Sequence, residues 1–332
     1  MGARKLAFYC AWHRSAETGA PIEILDNRFP ALFESRRMLY PKLAELSDPS
    51  RFEQGIGGFI DHVLRRNFTH FLEQARDLHG CAVNEIFRGD AGGRTAALDG
   101  TVLAGVDTLI VISFDSIRTA QVASDAEVDA VRRFLSTPGH IAFICPHHHI
   151  GDGPAGGTDG LHEDQLTEFL HHGDKTIPPQ QRFGGFARSL LAGLGVPVEN
   201  RFGLRPAAGA DGAPTPIEVE TSCDRHGLLR DVATFNLHLH LPQLERLGPA
   251  REQLDVVARQ RIDLSAPPHP FTRGGRATFD VLLQSRPGVF AGTLLVSDAT
   301  LWSSTAGGVE SLQCLWRNVL ARAGHADARI QA

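Results

Sequence analysis

Short, nearly continuous apolar stretches alternate along the chain with longer segments in which apolar residues recur every three to four positions. The first apolar stretch, "KLAFYCAW" (5–12), reads as a buried strand ending at His13. In "GIGGFIDHVLRRNFTHFLEQARDLHG" the residues Ile56, Phe59, Ile60, Val63, Leu64, Phe68, Phe71, Leu72, Ala75 and Leu78 make one helical face, and Gly80 stands where a helix stops. "CAVNEIF" (81–87) and "DTLIVISFDS" (107–116) read as further strands. Ser124 and Glu127 then spell a capping box ahead of a helix carrying Val128, Val131 and Leu135. "HIAFICPH" is a fourth strand, "FGGFARSLLAGLG" (183–195) a helix, "GTLLVSDAT" (292–300) a last buried strand, and "GGVESLQCLWRNVLARAG" a closing helix.

Strand, helix, strand, helix, strand in this order predicts parallel pairing through right-handed crossovers. The expected fold is a three-layer α/β sandwich with a mainly parallel, flavodoxin-like sheet. One domain spanning 1–332 is expected, with insertions near 20–55, 150–180 and 200–290 covering the carboxyl edge. Within the last insertion "PIEVETSCD" and "FNLHLHLP" read as alternating strands of an antiparallel extension or lid.

Composition narrows the function classes. The chain has 332 residues, 42% of them hydrophobic and 21% charged, as in ordinary globular proteins. A net charge of -5 offers no footprint for a phosphate backbone, so nucleic acid is not an expected partner. The five cysteines, Cys10, Cys81, Cys145, Cys223 and Cys314, are dispersed and odd in number, which fits a reducing, cytoplasmic compartment. No apolar run reaches the ~18 residues that a membrane span needs. A small-molecule substrate is the expected partner, and a homo-oligomer is left open.

Ligands of an open parallel sheet bind beyond the carboxyl ends of its strands. The strands here end in His13, in Asp115 and Ser116, in Cys145 through His149, and in Asp298 with Thr300. Polar and ligating residues thus gather at one edge. The turn "PHHHIGD" supplies His147, His148, His149 and Asp152, and "FNLHLHLP" supplies His238 and His240, which share a face if that segment is extended. Imidazoles from two segments could close a site around a divalent ion, zinc or iron, with Asp115 or Asp298 handling a proton on the activated water. The turn also approaches the H-x-H-x-D-H loop of metallo-β-lactamase-like hydrolases, but Asp152 comes one residue late and no histidine follows it. His171 and His172, after "LTEFL", read as a helix C-terminus, where a positive imidazole suits the dipole.

The run from "DTLIVISFDS" through the capped helix to "PGHIAFICPHHHIG" (107–151) resembles the core of the class I glutamine amidotransferase-like proteins, as a divergent member with a degenerate nucleophile elbow. That resemblance implies the α/β fold and places Cys145 where the family carries its nucleophile. Phe143 and His147 stand where the G-x-C-x-G elbow has glycines, and Pro146 removes an N–H that would help to hold an oxyanion. Three functional readings follow: a metal-dependent hydrolase or lyase acting on a small polar molecule, a Cys145-dependent amidase or amidotransferase, and a catalytically silent binding or assembly subunit.

Overall fold

The apolar stretches of the first half become strands β1 (Lys5–His13), β2 (Ala82–Gly89), β3 (Thr108–Ser113) and β4 (Ile141–Pro146). Every residue of β3 and β4 is buried, as in strands covered by helices on both faces. The computed structural model describes residues 4–18, 65–78, 80–90, 92–115, 119, 121–147, 161–172, 184–239, 241–304 and 309–322. The second half adds β5 (Glu218–Val219), β6 (Leu254–Arg261), β7 (Thr278–Ser285) and β8 (Thr293–Ser297).

Among the described residues these form one eight-stranded sheet in the order β2-β1-β3-β4-β8-β7-β6-β5. The first four pairings are parallel and the last three antiparallel. The chain starts at β1, steps out to β2, then crosses to the other side of β1 for β3, β4 and β8. This is the doubly wound, flavodoxin-like order, with its switch point beside β1. The fold class expected from the hydrophobic pattern is the one observed.

Helices α1 (Asp125–Phe134), α2 (Leu161–His172), α3 (Gly185–Gly193) and α4 (Val309–Ala321) connect or cover these strands. Both halves of the capping box before α1 are present: the Glu127 N–H donates to the Ser124 hydroxyl, and the Ser124 N–H donates to the Glu127 carboxylate. Side-chain alternation divides the core into two layers. Phe8, Cys10, Ile110, Phe143 and Cys145 face one layer with Phe68, Phe71, Trp302 and Trp316, while Tyr9, Val111 and Ile144 face the other with Val131, Phe186 and Leu190.

The stretch 200–290 departs from its sequence-based reading in detail. "PIEVETSCD" contributes only the two residues of β5, and "FNLHLHLP" only Leu241–Pro242, paired antiparallel with Gly203–Leu204, while residues 235–239 form no strand. The long antiparallel strands are instead "LDVVARQR" and "TFDVLLQS". Their pattern is obscured by charges that pair along the sheet: Arg259 with Asp280 at 3.0 Å, and Arg261 with Glu218 at 3.2 Å. Such partly exposed pairs stabilise little, but they allow a strand to carry arginines on its wet face. Because 235–239 is not extended in a ladder, the two-residue spacing of His238 and His240 sets no common face; His240 lies outside the described residues.

Candidate functional site

Strands β4 and β8 are parallel neighbours, with Ile144 opposite Val296. The chain leaves them at Pro146 and Ser297, and the next residues, His147 and Asp298, therefore meet at the carboxyl edge. His147 Nδ1 lies 3.2 Å from Asp298 Oδ2, and both side chains are buried. With Asp298 ionised, Nδ1–H is the donor, and proton exchange falls to Nε2. The other carboxylate oxygen accepts from the Thr300 N–H at 2.8 Å and from the Thr300 hydroxyl. Burial pushes the Asp298 carboxyl up, but the imidazoles of His147 and His238 and these hydrogen bonds outweigh it and hold the group below the ordinary aspartate value.

His238 reaches the same place from residues 235–239. Its ring centroid is 5.7 Å from that of His147, with the planes at 78°. Phe114, just past β3, lies 4.5 Å from the His147 ring on a tilted face. One imidazole from each of the two histidine-bearing segments is thus brought together, with Asp298 between the neighbouring strand ends.

The His147 backbone is clamped as well. Its N–H donates to Ser113 O at 3.3 Å, and its carbonyl accepts from the side-chain amide of the fully buried Asn200. Asn200 Oδ1 in turn accepts from the Arg188 guanidinium at 3.1 Å. Gly184, at φ +76°, sits so close that a Cβ there would lie 3.1 Å from His147 N and 3.2 Å from His147 O. Gly184→Ala combines an unfavourable left-handed backbone with this crowding. We expect it to destabilise the protein by about 1–3 kcal/mol, measured by denaturant unfolding, and to shift the His147 ring resonances.

Asp115 has a different task. One oxygen accepts from the Phe186 N–H at 2.9 Å and the other from the Ser113 hydroxyl, whose oxygen accepts from the Ala187 N–H at 3.1 Å. The carboxyl therefore satisfies the first turn of α3, which begins after Gly184 and has no side-chain cap of its own. Sequence position made Asp115 a candidate proton carrier; in the structure its carboxyl ties β3 to the start of α3.

Cys145 alternates into the apolar layer, fully buried, with Ser297 Oγ 3.4 Å from its sulfur. Burial pushes its thiol up to about 12, so thiolate is scarce at neutral pH. Cys145→Ala is expected to leave any turnover within about twofold of the parent and to cost on the order of 1 kcal/mol of stability; a large loss of turnover would restore the thiol to the chemistry.

His148, His149, Asp152 and Ser116 lie outside the described residues, as does His240. Among the described residues no group of three or more His, Cys, Asp or Glu side chains is arranged to hold a metal ion.

His171 and His172 end α2 as expected, yet both are buried. His171 Nδ1–H donates to Pro267 O at 2.7 Å and Nε2 accepts from the Arg205 N–H at 3.3 Å, while burial lowers its pKa. It is a neutral strut rather than a positive helix terminus. His269 bonds Glu168 through Nε2 and accepts from the Phe271 N–H at 2.9 Å. Sequence reasoning overlooked Glu168, Asn200 and Asn236, because nothing local marks a polar residue whose partners lie far along the chain.

By sequence, the chain matches no protein-family model and no curated protein. Among solved structures it is similar to a ThuA-like protein from Bacteroides uniformis ATCC 8492, at 11% identity and a TM-score of 0.38, over 97% of this chain and 91% of that one. It is also similar to the exo-beta-1,4-mannosidase Op5Man5 from Opitutaceae bacterium strain TAV5, at 10% identity and a TM-score of 0.35, over 97% of this chain and 36% of that one. A glutamine amidotransferase matches at 16% identity and a TM-score of 0.29, over 76% of this chain and 93% of that one. No helix among the described residues is long and apolar enough to cross a membrane.

Proposed function

We propose that the chain is a hydrolase or lyase acting on a small polar molecule at the carboxyl edge of the sheet, with His147 as the proton-transfer residue. The observation that carries this reading is the 3.2 Å contact between His147 Nδ1 and Asp298 Oδ2 at the ends of adjacent parallel strands. A carboxylate on Nδ1 fixes the tautomer and orientation of the ring and stabilises the imidazolium once Nε2 has taken a proton. His238 supplies a second imidazole within reach of the same charge. In a hydrolysis His147 would remove the proton of an attacking water and return it to the leaving group; in an elimination it would take the proton beside the departing group.

A metal-dependent form of the same reaction is the second reading. It is favoured by the carboxylate behind His147, since a ligating histidine commonly donates its other ring N–H to such a partner. His147 and His238 would hold the ion, with a third ligand sought among His148, His149, Asp152 and His240. The ion would polarise the substrate or a bound water.

One experiment separates the readings. Purified protein is screened on small esters, amides, lactones and hydroxy acids, with and without a chelator and after thiol alkylation. The proposal expects turnover that falls about 10²–10⁴-fold in His147→Ala and survives alkylation. Loss on chelation, restored by zinc or iron, selects the metal-dependent form. Turnover indifferent to His147→Ala, or abolished by alkylation at Cys145, rejects the proposal.

A further inference from the structure

His238 lies on a segment without a strand ladder, so something other than sheet hydrogen bonding must hold its ring beside His147. Asn236 is fully buried and bonds in three directions. Its Nδ2–H donates to Thr300 O at 3.0 Å, its Oδ1 accepts from the His238 N–H at 3.4 Å, and its carbonyl accepts from Gln260 Nε2 at 3.4 Å. Thr300 is the same residue whose N–H and hydroxyl hold Asp298 Oδ1. Gln260, on β6, is itself fully buried. A continuous series of bonds thus runs from the Asp298 carboxylate through Thr300 and Asn236 to the backbone of His238, braced from the central sheet by Gln260.

We infer that Asn236 is a positioning residue, which docks the His238 segment on the Asp298 turn and so sets the spacing of the two imidazoles. The inference rests on the functional reading above for its consequence in turnover, but not for its geometry. An amide is suited to the task because it donates to one segment and accepts from another at once. A methyl at this position would leave the Thr300 carbonyl and the His238 N–H without these bonds.

The test uses full-length protein carrying isotope-labelled histidine. In the parent, a ring-to-ring NOE joins His147 and His238. Asn236→Ala should abolish that cross-peak while leaving the Nδ1–H signal of His147 on Asp298 in place, and should lower kcat on the order of a hundredfold, as misplacing a reacting group by about 1 Å can do. Thr300→Val keeps the carbonyl that Asn236 uses and should retain the cross-peak. Gln260→Ala should weaken it, which serves if Asn236→Ala fails to fold. A cross-peak unchanged in Asn236→Ala, or unchanged in Gln260→Ala where the first variant is unfolded, overturns the inference, as does its absence from the parent. A cross-peak lost with turnover intact upholds the positioning role and removes His238 from the proposed reaction.

Discussion

Exchanging Asp298 for asparagine is expected to lower kcat by about two to four orders of magnitude with little change in KM. Asparagine has nearly the shape of aspartate, and with its Oδ1 turned to Thr300 both Thr300 donors keep their acceptor. What disappears is the charge facing His147 Nδ1 at 3.2 Å. An amide NH₂ turned toward that nitrogen makes it an acceptor, which moves the ring proton to Nε2 and abolishes the base; an amide oxygen turned toward it keeps the tautomer but no longer stabilises the imidazolium. Either way the transition state suffers more than substrate binding. Steady-state kinetics on the best substrate of the screen checks this, and equal kcat in parent and variant would exclude Asp298 from the reaction.

The same exchange has a pH signature in stability. The native Asp298 pKa lies below its ordinary value, so the native state favours the ionised form. That stabilisation is fully present above the unfolded pKa near ~3.9 and is lost as pH falls through the lower folded value. The stability difference between parent and Asp298→Asn should therefore shrink in acid below about pH 4, as Asp298 takes up its proton. Denaturant unfolding across that range reads it directly. A difference that stays constant into strong acid would show that the Asp298 charge is not its source.

Asp115→Ala should be the most destabilising single exchange at this edge, at roughly 2–4 kcal/mol, because it leaves buried donors without their acceptor. The Phe186 N–H and the Ser113 hydroxyl lose partners together, at the start of a helix whose preceding residue, Gly184, offers no side chain. The Ala187 N–H, which bonds the Ser113 oxygen, is disturbed as that hydroxyl turns. Asp115→Asn retains an acceptor and should recover part of the loss. Turnover per folded molecule should fall little in either variant, as measured below the unfolding transition. A folded Asp115→Asn protein without activity would return Asp115 to the role of proton carrier.

The legible part of this fold was the part carried by apolar runs. "DTLIVIS" and "HIAFICP" contain no polar residue that a buried strand cannot accommodate, and the capped helix between them announces its own start at Ser124. The antiparallel half was less legible because β6 and β7, though mostly buried, interrupt their apolar residues with Asp255, Arg259, Arg261 and Asp280, which are partly or fully exposed. "FNLHLHLP" shows the opposite error: its alternation is good, yet Asn236 turns its amide to Thr300 and His238 instead of leaving the backbone to a ladder. Cys145 was prominent in sequence for its place at the end of a strand, but strand parity sends it into the apolar layer.

By itself the sequence determined the layers, the parallel core and the gathering of histidines and aspartates at strand ends, since period and strand termini are local properties of the chain. Which of those residues meet was decided only by tertiary structure. His147 and Asp298 are 151 positions apart and come into contact because β8 inserts beside β4. Asp115, at an equally suggestive strand end, is taken up by the start of α3. Local chemistry is the same in the two carboxylates; strand order sets one against His147 and the α3 start sets the other against backbone N–H groups.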